Sequence, residues 1–212
     1  MNAEEAKGYW ENRWLNEGTA TVGHVGDSPA AFKRQTQMYG AALQKALQYE
    51  RSNLYPNLLD YGCGWGRMHE YLTSCCINYL GVDHSQEAVT MAEETHPLGH
   101  FEQIDPKLPQ LLRFDASNPM KFDAVVTCTV LQHIIDPRAL VNTVSFLEDA
   151  LMSGGRMVLI ENVSSGIENK PHIHYRSVSE YKNLFTSSMR WFWQDSVVHN
   201  EERHAILIGD KL

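Results

Sequence analysis

Residues 60 to 66 read Asp-Tyr-Gly-Cys-Gly-Trp-Gly, an acid followed by glycine at every second position. A loop of this kind lets a ligand touch the main chain, because glycine takes positive φ and carries no Cβ. The apolar Leu54, Leu58 and Leu59 before it and the helix-compatible Arg67 to Leu72 after it predict strand, glycine loop, helix. The free N–H groups of the helix start add a polar cradle. A dinucleotide loop has the spacing G-x-G-x-x-G. Here the phase is Asp-x-Gly-x-Gly-x-Gly. A carboxylate at Asp60, just ahead of Gly62, Gly64 and Gly66, suits a nucleoside with a cationic amino-acid tail better than a pyrophosphate. Asp83 ends the next apolar run, Ile77 to Val82. There it can accept hydrogen bonds from a ribose diol, while Ser85 is the better cap for the following helix.

These residues need a sheet to carry them, and the rest of the chain supplies one. Residues 77–83, 100–105, 121–130 and 156–162 read as further strands, of which 121–130 is the continuous apolar run of a buried parallel strand. Helices are expected over 30–49, from Ser85 through Ala92, from Asp136-Pro137 through Ala150, with Gly154-Gly155 as terminator, and from Ser177, where Glu180 completes a capping box. Residues 189–198 and 204–208 predict an antiparallel hairpin at one sheet edge. Loops are expected over Gly18 to Pro29, with Gly18, Gly23 and Gly26 forming a hinge, and over Val163 to Pro171; Pro106 to Met120 reads as a broken helix or loop. The fold class is therefore α/β, a mostly parallel seven-stranded sheet with helices on both faces and an antiparallel C-terminal hairpin.

At 212 residues the chain fits one such domain with a modest appendage. It divides into an N-terminal lid and helix (1–53), a cofactor-binding core (54–162) and a segment of substrate loop, helix and hairpin (163–212). The formal charge of −8 disfavours a grip on nucleic acid. No stretch approaches the roughly 20 apolar residues of a membrane span, and Met1 to Glu5 lacks the marks of a signal peptide. The expected setting is the cytoplasm, as monomer or homodimer, without membrane contact. Cys63, Cys75, Cys76 and Cys128 form no C-x-x-C and read as reduced thiols packed as small apolar groups. His172-x-His174 has metal-ligand types on one face of a strand but no evident third ligand, so no metal is expected.

The Asp60 to Gly66 string resembles the first motif of the Rossmann-like (class I) S-adenosylmethionine-dependent methyltransferases, and Phe122-Asp123 through Leu131-Gln132-His133-Ile134 resembles another segment of that family. The likeness covers about residues 55 to 162. It implies that S-adenosylmethionine rests on Asp60, Gly62, Cys63, Gly64 and Gly66, with its ribose on Asp83. His84 either flanks the adenine or faces water, and Ile104 and Asp105 lie beside the ring, Asp105 accepting from the exocyclic amine. Cys128 and Thr129, where the fourth strand ends, complete the cofactor site. The Tyr-Trp-x-x-Arg-Trp string resembles an N-terminal lid helix of small-molecule members, with Tyr9 or Trp10 against the sulfonium and Arg13 near the cofactor carboxylate. The alternative is an amphipathic helix that merely covers the core.

Methyl transfer depends mainly on alignment, with a base to take the acceptor proton. His133 is the candidate base, or else a loop residue bonded to a backbone carbonyl. Glu161 is the alternative base. Gln132, His174, Tyr175 and Arg176 would frame a small acceptor, Arg176 implying an anionic group on it. Thr129 stands where metal-dependent catechol-type relatives carry an acid, which argues against that subclass. Two functions follow: methyl transfer to an O or N atom of a small molecule, or cofactor binding on the same fold without transfer, as a partner subunit. A dehydrogenase is disfavoured by the glycine phase.

Overall fold

The structure, a computed structural model, describes residues 3–18, 28–105, 113–115, 118–119, 121–163 and 172–212. The expected loops over 19–27 and 164–171, and most of 106–120, lie outside these. In chain order come α1 (Ala3–Glu17), α2 (Pro29–Gln48), β1 (Tyr55–Tyr61), α3 (His69–Thr73), β2 (Cys76–Asp83), α4 (Gln86–Thr95) and β3 (Phe101–Gln103). A short pair follows, β4 (Arg113–Asp115) with β5 (Asn118–Pro119), and then β6 (Phe122–Cys128), α5 (Pro137–Ala150), β7 (Leu151–Asn162), α6 (Val178–Asn183), β8 (Met189–His199) and β9 (Glu202–Lys211).

The main sheet has seven strands in the order β3-β2-β1-β6-β7-β9-β8. The first five run parallel, and β9 enters antiparallel between β7 and the edge strand β8. This is the expected mixed α/β sheet. Side-chain alternation divides its core into two layers. Leu59, Val125, Leu159 and Leu207 pack with Leu140, Val144 and Leu147 of α5 and Tyr181 of α6. Leu58, Val126, Ile160 and Ile206 pack on the other face against Tyr39, Leu43 and Leu47 of α2 and Leu72 of α3. Because strand order reverses between β1 and β6, their carboxyl ends diverge and leave the crevice where such folds bind ligands.

Helix starts follow the local chemistry. Ser28, Ser85, Asp136 and Ser177 each accept a main-chain N–H at the start of α2, α4, α5 and α6, and Ser177 with Glu180 forms the capping box. Two expectations are corrected. The helix after the glycine loop starts at His69 rather than Arg67, because turns continue through Met68. Gly154-Gly155 does not end α5, which stops at Ala150; Gly154 lies in an irregular start of β7, where Phe122 faces Leu151 but Ala124 faces Arg156.

One buried cation ties β7, β9 and the end of α2 together. Arg156 is 2% exposed and donates through Nε and Nη2 to the two oxygens of Asp210, at 3.0 and 3.3 Å. Its Nη1 reaches the carbonyls of Ala46, Leu47 and Tyr49 at the end of α2, of which Ala46 also accepts the Tyr49 N–H and Leu47 the Tyr55 hydroxyl. Arg156→Met should therefore lower stability by about 3–5 kcal/mol, since Asp210 loses its buried, bidentate partner and the Tyr49 carbonyl its donor. Urea unfolding with an unchanged m-value is the measurement; a loss within error of zero would show the network contributes nothing.

Candidate functional site

At the carboxyl edge, β1 runs into the glycine loop. Gly62, Gly64 and Gly66 all have positive φ, 75°, 55° and 78°. A Cβ on Gly62 would meet Val130 at 2.5 Å and one on Gly66 would meet His96 at 2.7 Å, so the loop is shaped by what packs beneath it as well as by its backbone. The N–H groups of Gly62 and Cys63 donate to the Val82 carbonyl, at 2.8 and 3.0 Å, which fastens the loop to β2. Cys63 itself is buried.

Asp83, at the end of β2, holds the loop from the other side. Its Oδ2 accepts from Gly64 N at 3.0 Å and its Oδ1 from Ser85 N at 3.0 Å, with His84 Nδ1 3.2 Å away. Burial works against the charge, but the His84 ring and the Ser85 and Gly64 N–H groups outweigh it and hold Asp83 below the usual carboxylate range. An ionised carboxylate has about four acceptor positions, so one remains for a ligand hydroxyl. The protein's own donors thus already use most of the group.

Asp60 lies on the α2 side of β1, 2% exposed, and accepts from the Tyr79 hydroxyl at 2.8 Å. Burial pushes it up to about 7; the Tyr79 bond and the Arg67 charge pull it down while Asp83 adds to the rise. Ile104 is buried with its N–H on the Asp83 carbonyl at 2.9 Å, and Asp105 beside it is exposed. At the end of β6, burial pushes the Cys128 thiol up to about 12, and Thr129 takes φ 59°, left-handed backbone that non-glycine residues seldom adopt. Nothing in the residue type announces that strain.

The turn after β6, a short 3-10 helix at Leu131–His133, is built around Glu161 of β7. Glu161 Oε1 accepts from Thr127 Oγ1 and from the N–H groups of Val130 and Leu131, and Oε2 accepts from Gln132 N. It is fully buried, and burial pushes it up to about 7 against the pull of those donors. This corrects its reading as a base: the carboxylate is enclosed and shapes the loop. His133 takes the carbonyl-bonded role. Its Nδ1 lies 2.9 Å from the His172 carbonyl and its Nε2 3.2 Å from the Gln132 amide, so both ring nitrogens are engaged. Gln132 is likewise internal, its Oε1 accepting from Asn162 N at 2.8 Å. Arg176 donates to the carbonyls of Leu131, His174 and Ile134 and does not face an acceptor anion. His174 and Tyr175 are half-buried beside it, with His174 N on the Gln132 carbonyl; burial and the Arg176 charge hold the His174 ring below its usual value.

Helix α1 crosses this edge. Tyr9 stacks on His172 with centroids 4.8 Å apart, Trp10 meets the His133 ring edge-on at 4.7 Å, and Trp14 is buried. The far end of α1 packs on α4. Arg13 lies over Tyr9 and Trp10 and is ion-paired with Glu17, its Nε donating at 2.9 Å. Among the described residues no group of three or more metal-ligating side chains gathers, and His172 instead packs its ring on Tyr9.

A second polar layer went unread in the sequence. Arg67, directly after the glycines, is buried, donates to Gln35 Oε1 at 3.0 Å and lies 5.6 and 5.5 Å from the rings of Phe32 and Tyr39. Cys128, Asn162 and His204 continue the layer across the α2 face of β6, β7 and β9, with Asn162 Nδ2 on Glu202 Oε2 at 2.6 Å and His204 edge-on to Tyr39 at 5.3 Å. The position of Arg67 after the third glycine was its only sequence signal.

The mixed sheet in this strand order carries a glycine loop and a strand-end acid on the edge that α1 crosses. Residues 59–157 match the model of a family described as a methyltransferase domain. That match covers just under half of the chain. The chain is similar to the ubiquinone biosynthesis O-methyltransferase of Xylella fastidiosa, 31% identical over 100 residues that make up 47% of this chain and 39% of that one. The corresponding protein of Idiomarina loihiensis is 30% identical over 122 residues, 55% of this chain and 49% of that one. The match thus spans less than half the length of either relative. Among solved structures, the N-methyltransferase NodS of Bradyrhizobium japonicum in complex with S-adenosyl-L-homocysteine superposes with a TM-score of 0.68 at 16% identity over 97% of this chain and 98% of that one. The magnesium protoporphyrin IX methyltransferase of Synechocystis with bound SAM gives 0.68 at 15% identity over 100% of both chains. These likenesses establish the fold.

Glu161→Ala would leave three main-chain N–H groups and the Thr127 hydroxyl without their acceptor. The expected cost exceeds about 2 kcal/mol, with faster amide exchange at Val130 to Gln132. A fully stable variant with unchanged exchange there would refute the loop-shaping role.

Proposed function

We propose that this chain transfers the methyl group of S-adenosylmethionine to an oxygen or nitrogen of a small-molecule acceptor. The observation that carries the reading is the glycine loop in left-handed backbone, bonded through Gly64 N to an Asp83 carboxylate that keeps one acceptor position. The remaining residues fit that cofactor. Gly62, Cys63, Gly64 and Gly66 hold the amino-acid tail against the main chain, and Asp60 faces its ammonium. Asp83 takes a ribose hydroxyl, while His84, Ile104 and Asp105 border the adenine. Cys128 and Thr129 flank the sulfonium, and Tyr9 and Trp10 cover it, since aromatic faces favour a cation. When bound, the cofactor supplies an electrophilic methyl carbon; the chain aligns the acceptor and keeps water out beneath α1.

Relatives named for O- and N-methylation support a small acceptor, and the net charge of −8 supports one other than nucleic acid. No described helix is long and apolar enough to cross a membrane. We read the chain as a cytoplasmic monomer or homodimer. One observation favours a second reading, a cofactor-binding partner subunit without transfer: His133 and Glu161 are both occupied inside the protein. Transfer of tritium from labelled cofactor to a metabolite extract separates the two. Asp83→Ala should weaken S-adenosylhomocysteine binding by about tenfold or more, as loss of the acceptor costs roughly 1–3 kcal/mol; undiminished affinity by titration calorimetry would overturn the site.

Asp60 adds a pH dependence. In the free protein it is pushed up to about 7, so below that pH it is largely protonated. A cationic ammonium favours the ionised form, so binding must release the proton. Affinity for S-adenosylhomocysteine should rise with pH up to about 7, approaching tenfold per unit well below it, and level off above. Asp60→Asn should flatten that slope. Calorimetry in buffers of different ionisation enthalpy counts the protons, and zero release at pH 6 would remove Asp60 from the ammonium.

A further inference from the structure

The turn after β6 and the segment 172–176 are bonded into one frame. His133 Nδ1 lies against the His172 carbonyl, His174 N donates to the Gln132 carbonyl at 2.8 Å, and Arg176 donates to the carbonyls of Leu131 and Ile134. Several polar side chains of that frame serve the protein itself. Glu161 holds the turn, both nitrogens of His133 are engaged, and Glu180 at the start of α6 accepts from the Ser177 N–H and hydroxyl. The His174 ring differs. Its main chain is fixed at both groups, since its carbonyl also accepts from Arg176 Nη1 at 3.4 Å, yet neither ring nitrogen bonds a described residue. His172 and His174 are half-buried on either side of the buried Ile173, and the His172 ring meets α1 through Tyr9. Gln132, which holds His174, stands three residues after Thr129, the residue that the methyl-transfer reading sets beside the sulfonium. A ring fixed at its backbone, open at its nitrogens and in reach of solvent meets the requirements of proton transfer.

We propose that His174 is the general base of the reaction and that the acceptor is an un-ionised hydroxyl, a phenol or alcohol, whose proton it takes. This rests on the methyl-transfer reading and adds to it the base and the acceptor class. The hydroxyl proton moves to a ring nitrogen of His174 as the oxygen gives a lone pair to the methyl carbon. The O–C bond forms while the C–S bond breaks, its electron pair stays on sulfur, and a methyl ether, a neutral thioether and a histidinium result. Of the titratable groups around this frame, Arg176 in the same segment and Glu180 of α6 act on the ring, while His133 of the turn and Tyr9 of α1 are turned to His172. Burial and Arg176 outweigh Glu180 and hold the ring below the usual histidine range, so it is neutral and able to accept at pH 7. The same balance lets the histidinium pass its proton to solvent afterwards. An ammonium acceptor is disfavoured. It would bring a second cation beside Arg176, where Glu161 and Glu180 already serve N–H and hydroxyl donors of the protein.

The probe is phenol, added to the intact chain. With isotope-labelled histidine and bound S-adenosylhomocysteine, the His174 ring of the wild type should titrate below about 6.5, and saturating phenol should move its ring-nitrogen signals in the magnetic resonance spectrum as a new hydrogen bond forms. With labelled S-adenosylmethionine the product should be methoxybenzene, and turnover should fall with acid through the His174 titration. His174→Gln should lower turnover by about a hundredfold or more and remove that acid limb, while S-adenosylhomocysteine affinity and melting temperature stay as in the wild type. In His174→Ala, added imidazole should recover part of the rate, which it does not do for a residue that only holds the loop. A His174 ring that titrates above the usual value or ignores phenol, absence of transfer to phenol, or an acid limb that persists in His174→Gln would each overturn the proposal. Failure of S-adenosylhomocysteine to bind the wild type would instead bring down the methyl-transfer reading and this inference with it.

Discussion

The carboxyl ends of parallel strands leave main-chain N–H groups turning away from the sheet with no ladder to join, and buried groups of that kind must find acceptors. Here buried carboxylates meet that requirement. Asp83 gathers Gly64 and Ser85, and Glu161 gathers Val130, Leu131 and Gln132. The glycine loop, the start of α4 and the turn after β6 are therefore bound to strand-end acids rather than to each other. Each acid accepts the cost of burial in return for several charge-assisted bonds, which are about twice as strong as neutral ones.

The two acids have different consequences for chemistry. Asp83 stays ionised and keeps an acceptor position beyond the bonds that order the glycine loop and the start of α4. Glu161 is closed on every side, and with it His133, Gln132 and Arg176 become a single internal network. The edge is thus asymmetric. Its α5 side is rigid and, apart from the His174 ring, self-satisfied, while its α2 side keeps a buried layer of Asp60, Arg67, Tyr39, Cys128 and His204 whose charges act on one another.

Helix α1 lies across both. Its contacts of Tyr9, stacked on His172, and Trp10, edge-on to His133, join the helix to the internal network. A fold shared with proteins named for N- and O-methylation does not choose the acceptor. That choice lies in the side chains that the edge presents, and these differ on the two faces.

The sequence alone determined the sheet and the glycine loop with its strand-end acid. Glycine phase, strand-end acids and capping residues act over a few positions, so Gly62 to Gly66, Asp83 and Ser85 could be read where they stand. It also placed β1, β2 and α5 to within a few residues, since their periodicity is local. It misplaced the start of α3 and the end of α5, where glycines serve turns and an irregular strand rather than helix caps. What only the tertiary structure decided is the use of each polar side chain. Glu161 sits 30 residues from Leu131, and Arg67 is 32 from Gln35. Whether a His or Glu is a free base or a spent acceptor depends on donors brought from that distance, and no local pattern encodes them. Tyr39 lies inside the expected helix over 30–49 with no local signal; only the packing of α2 over the sheet sets its ring beside Arg67 and His204.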